Sequence, residues 1–80
     1  MTREEILSLA KKIIDAYDND PKEAIRLYGD SNNPFISLEW GKFADTDEPL
    51  FDLILNIGSL LNGGISLEWV KDIYDTALKN

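Results

Sequence analysis

The chain has 80 residues, 44% of them hydrophobic, no cysteine, no histidine and a net charge of −7, which allows one core burying about 60–65% of the surface the unfolded form exposes, and no second domain. Without imidazole or thiol, histidine-dependent triads, thiolate nucleophiles and zinc sites built on either group are excluded within one chain. The acidity disfavours nucleic acid and anionic lipid as ligands, and a small chain without cysteine fits a reducing cytoplasm better than secretion, where disulfides usually staple domains of this size.

The first element is predicted over about residues 3–17. Thr2 followed three positions later by Glu5 is a capping box, in which hydroxyl and carboxylate satisfy amides left open at a helix start. Ile6, Leu9, Ala10, Ile13, Ile14 and Tyr17 then recur at three- and four-residue steps, with Glu4, Ser8, Lys11 and Asp15 opposite. The opening Met1-Thr2-Arg3-Glu4-Glu5 has none of the apolar run of a secretory signal.

Asp18-Asn19-Asp20-Pro21 breaks that helix and starts the next, over about 21–28, with Asp20 as cap, Pro21 at the first position and Glu23 completing a second box. Gly29 is expected to close it, and Asp30-Ser31-Asn32-Asn33-Pro34 reads as loop.

Residues 35–44 admit two readings. Ile36, Leu38 and Trp40 alternate as in a strand, whereas Ile36, Trp40 and Phe43 also suit one helical face with Ser37 as cap. Ile36-Ser37-Leu38-Glu39-Trp40 recurs 29 residues later as Ile65-Ser66-Leu67-Glu68-Trp69, either as a decayed duplication of a helical unit or as a coincidence in a chain rich in these residue types. Because the second copy continues into a clear helical stripe, a short helix over 37–44 is the reading adopted. Both tryptophans are expected in or at the edge of the core.

Asp45-Thr46-Asp47-Glu48-Pro49 opens the most apolar helix, about 48–61, with its carboxylates at the positive end of the helix dipole. Apolar side chains surround most of its circumference, so it is expected to be central. Asn62-Gly63-Gly64 ends it, and the last helix, about 66–78, starts at the Ser66 cap and turns Glu68, Lys71, Asp72, Asp75 and Lys79 outward. The expected fold is therefore all-α: one domain over residues 1–80, a compact bundle of four to five short helices. The longest apolar run, Leu50 to Leu61, is too short and too interrupted for a membrane span.

Candidate chemistry is sparse. A calcium loop needs an acid or amide at its fifth position and glycine at its sixth; after Asp45 those places hold Pro49 and Leu50, and the acids at Asp18 and Asp30 fail in the same way. No phosphate-cradling glycine pattern occurs. Neither a metal, a cofactor nor enzymatic activity is expected.

Surface recognition remains. Residues 1–29 hold six acids against five bases, whereas residues 30–75 hold nine acids against Lys42 and Lys71 alone. The expected binding residues are Asp45, Asp47, Glu48, Asp52, Glu68, Asp72 and Asp75, gathered at one end of the molecule if the last two helices are antiparallel. Charge of this kind steers association with basic surfaces. The expectation is a small inhibitor or immunity-type protein occupying a basic, nucleic-acid-binding site on a partner protein. The alternative is a homodimer or adaptor acting through apolar surface.

Overall fold

Thr2 starts the first helix as its sequence predicts: its Oγ1 accepts from the Glu5 amide at 3.2 Å, and Glu5 Oε1 accepts from the Thr2 amide at 3.1 Å. The Thr2 amide first, and the Thr2 hydroxyl second, hold the Glu5 carboxyl below its ordinary pKa by hydrogen bonding to it. The computed structural model describes residues 2–30 and 43–79, and within them α1 (Arg3–Asn19) is followed by α2 (Pro21–Asp30), α3 (Phe43–Thr46), α4 (Glu48–Leu61) and α5 (Leu67–Lys79). The all-α class is as expected. The predicted repeat copy at 36–40 and most of the predicted helix over 37–44 lie outside the described residues.

Three helix ends lie two residues beyond the sequence reading, one of them that of α3, which closes at Thr46 and not at residue 44. The first helix runs to Asn19, past the expected stop at 17, because the feature that ends it is Pro21, which disfavours helical backbone at the residue before it. Asp20 is accordingly extended (φ −154°, ψ 98°). Its amide still donates to the Ala16 carbonyl, and its Oδ1 accepts from the Lys22 amide at 3.1 Å, so one residue closes α1 and opens α2. The second helix continues through Gly29 to Asp30, since Gly29 does not adopt the positive φ that would turn the chain out. The second capping box is also absent. Arg26 Nε donates to Glu23 Oε2 at 2.9 Å and engages the carboxylate that would have reached back, holding that carboxyl below its ordinary value.

The end of α4 follows the expected chemistry closely. The Gly63 amide donates to the Leu60 carbonyl at 3.0 Å and the Gly64 amide to the Ser59 carbonyl at 2.8 Å, which is the Schellman arrangement with Gly63 at φ +78°. Ser66 then caps α5 by accepting from the Trp69 amide at 3.2 Å. The two glycines therefore predict opposite outcomes. Gly63→Ala must enter left-handed backbone and should destabilise by roughly 1–2 kcal/mol, whereas Gly29→Ala, inside a helix with open space around the new methyl, should stabilise by about 0.5–1 kcal/mol. Urea unfolding of both variants beside the parent checks the signs.

α4 packs against each of the other four helices, while α1 packs against α2, α4 and α5. The core is shared evenly between these two: Ile6, Leu7, Ala10, Ile13 and Ile14 from α1 face Leu50, Leu53, Ile54, Ile57 and Leu60 from α4. Ala24 brings α2 in close because its side chain is a single methyl, and Val70 and Ala77 seat α5. Tyr28 of α2 lies over Gly58 of α4, where an added methyl would stand 3.7 Å from its hydroxyl oxygen; burial pushes that phenol above its ordinary pKa. The Cα radius of gyration, 11.4 Å, is close to the roughly 11.6 Å expected of a compact 80-residue fold. Among the described residues no helix is long and apolar enough to cross a membrane.

Candidate functional site

The seven candidate acids fall into three settings. Asp47 belongs to the fold: its Oδ1 caps α4 by accepting from the Leu50 amide at 3.3 Å, and its Oδ2 accepts from Arg3 Nε at 2.7 Å. Arg3 Nη2 donates in turn to the Ala77 carbonyl. This one guanidinium joins the starts of α1 and α4 to the last turn of α5, so α4 and α5 are antiparallel, as expected from their short connection.

Asp75 faces α1. It lines an open cleft of about 210 Å³ with Lys11, Ile14, Asp15, Lys71 and Tyr74. Lys11 Nζ lies 3.2 Å from Asp15 Oδ2, and Lys71 Nζ lies 3.9 Å from Asp18 Oδ2. The cleft therefore has mixed charge, and it is smaller than the roughly 300–1,000 Å³ typical of small-molecule sites.

The remaining five, Asp45, Glu48, Asp52, Glu68 and Asp72, are exposed. None of them has an ion-pair partner among the described residues. Glu48, Asp52, Leu55 and Ser59 form the outer stripe of α4, a helical repeat directly opposite Leu50, Leu53, Ile57 and Leu60. Glu68 and Asp72 lie on the outer face of α5, opposite Val70 and Ala77. From Glu68 to Asp75 the α5 acids extend along about 10 Å of helix. The start of α4 lies near the last turn of α5, and the α5 acids extend from there back toward its first turn. Among the described residues no three or more carboxylates converge as metal ligands.

Trp69 is a correction to the sequence reading. Its side chain is not in the core: the residue is 59% exposed, more than Ile25, Leu55 or Leu78, the other exposed large apolar residues among those described. The helical spacing that suggested burial is satisfied by Val70, Ile73 and Ala77, which leaves Trp69 at the edge of the α5 stripe. No local signal in the sequence separates the two sides of that edge, since the buried Ile6 also directly follows two charged residues, Glu4 and Glu5.

Of the α5 acids, Glu68 and Asp72 have no ion-pair partner among the described residues. Lys71 is drawn toward Asp18 on α1, and Lys79 sits at the far end of the helix. The first two turns of α5 therefore present two carboxylates beside an open indole. In comparison with known proteins, no family model matches the chain, and no curated protein or solved structure matches it significantly.

Proposed function

We propose that this chain is a non-catalytic, cytosolic protein-binding module of the inhibitor or immunity type, which occupies a basic site on a partner protein with the outer face of the α4–α5 hairpin. The observation that carries this reading is the exposure of Glu48, Asp52, Glu68 and Asp72 without an ion-pair partner among the described residues, while the neighbouring Lys71 turns to Asp18. Leaving like charges together on a small fold costs self-repulsion, and a basic partner relieves that repulsion on binding. The reading also needs no enclosed pocket, which suits a fold whose interior holds thirteen buried apolar side chains among the described residues.

A second reading rests on the exposed Ile25, Leu55, Trp69 and Leu78: an apolar contact made by a homodimer or an adaptor. One experiment separates the two. The tagged chain is used to capture a partner from its host lysate at low salt, and the binding constant for that partner is then measured against salt for the parent and for a variant carrying Asp52→Lys and Asp72→Lys. Under the acidic-face reading the affinity falls steeply with salt, and the variant binds at least about tenfold more weakly with a shallower salt dependence. Affinity indifferent to salt and to both reversals would transfer the function to the apolar surface.

A further inference from the structure

We infer that Trp69 is the anchor of the acidic face and that the group it takes is a guanidinium, presented by an arginine-bearing segment of a partner protein. This inference rests on the acidic-face reading above and names the chemistry of that partner. Three features of the first turns of α5 carry it. The indole stands open to solvent in a fold that buries its other described large side chains on α5 wholly or partly, Leu78 excepted. Asp72, one turn on, neighbours it on the helix surface, and Glu68 in turn neighbours Asp72 on the outer face, both acids being exposed. The base nearest to them on the helix, Lys71, has its Nζ 3.9 Å from Asp18 Oδ2, toward the α1 side of the helix.

An exposed ring beside two carboxylates complements a flat cation better than a compact one. Arginine stacks its planar guanidinium on an aromatic face and keeps its edge donors for carboxylate oxygens, whereas a lysine ammonium is a strongly hydrated point charge. The two acids are not equivalent. Glu68 lies in the first turn of α5, after the Ser66 cap, where the positive end of the helix dipole discounts its charge. Asp72 lies beyond that turn, so its carboxylate carries more of the attraction. A second copy of this chain is the wrong occupant for the same face, because it brings the same net charge of −7.

The test uses the full chain and three designed helical peptides that differ at four positions on one face: arginine, lysine or citrulline. Binding is followed by NMR through the two indole signals of the protein, the Trp69 signal being identified by its loss in Trp69→Phe. The expected result is that the arginine peptide shifts the Trp69 indole and the Asp72 amide, and binds at least about fivefold more tightly than the lysine peptide, with citrulline silent. Trp69→Gln should lose about tenfold, Trp69→Phe less, and Asp72→Asn more than Glu68→Gln. Since Trp69 is exposed, unchanged amide spectra elsewhere confirm that these variants remain folded. Binding of both cationic peptides with shifts confined to other acids, unaltered by Trp69→Gln, would overturn the inference and leave the acidic-face reading standing. No binding of any peptide at low salt would sink both, and Trp69 shifts that depend on protein concentration alone would assign the face to self-association.

Discussion

Replacing Ile57 by alanine should remove about 2–5 kcal/mol of stability, the cost of losing buried methyl and methylene groups together with the cavity they leave. The side chain is completely buried, and it sits on the one helix that packs against all the others, so no single neighbour is free to close over the gap. A fold of 80 residues has on the order of 4–12 kcal/mol in total. The loss is therefore a large share of it, from about a sixth to all, and the melting midpoint should fall by on the order of 10–30 °C. Leu55→Ala, two residues earlier on the same helix, is the control. Leu55 is exposed on the outer stripe, so its removal should change stability by no more than about 0.5 kcal/mol. Thermal and urea unfolding of the two variants read the contrast directly, and equal losses would mean that α4 does not turn the face described here toward the core.

That contrast also marks where the sequence stops being informative. Helix positions were readable because their signals are local: Thr2 with Glu5, Pro21 after Asp20, Gly63-Gly64, and Ser66 before Trp69 each act within a few residues, and the structure realises each of them. The rotation of α4 was readable only from a thin polar stripe of Asp52, Asn56 and Ser59: Leu55 lies between Asp52 and Ser59 on that side and Ile57 opposite, although apolar residues run round most of the helix. Trp69 was not readable, since an amphipathic stripe has an edge and periodicity does not say which side of the edge a large ring occupies. Of the candidate acids all but Asp47 are exposed. The partners of two were not legible, because Asp75 shares a cleft with Lys11 of α1 and Asp47 is taken up by a residue 44 positions away.

The Arg3–Asp47 pair should be the most consequential polar contact in the described fold, and it is the clearest case of an interaction no local pattern announces. Arg3 Nε and Asp47 Oδ2 are 2.7 Å apart, with side chains only 26% and 20% exposed, so solvent screens the pair less than it does Lys11–Asp15 or Arg26–Glu23. Asp47 does two jobs with two oxygens, capping α4 and holding Arg3. Asp47→Ala loses a cap worth about 1 kcal/mol and a charge-assisted hydrogen bond worth about 1.5–3 kcal/mol, offset in part because Arg3 keeps the Ala77 carbonyl and gains water. The expected net loss is about 2–3 kcal/mol. Asp47→Asn retains a capping oxygen and should recover about 1 kcal/mol of it, while Arg3→Ala should cost about 1–2 kcal/mol and leave the cap intact. In the double variant Arg3→Ala with Asp47→Ala the costs should fall short of additivity by about 1 kcal/mol, the signature of a direct contact. Strict additivity would mean that Asp47 acts as a cap alone. In that case its carboxylate would be available to a partner, and the acidic surface would extend from the hairpin to the end of the bundle where α1, α4 and α5 meet.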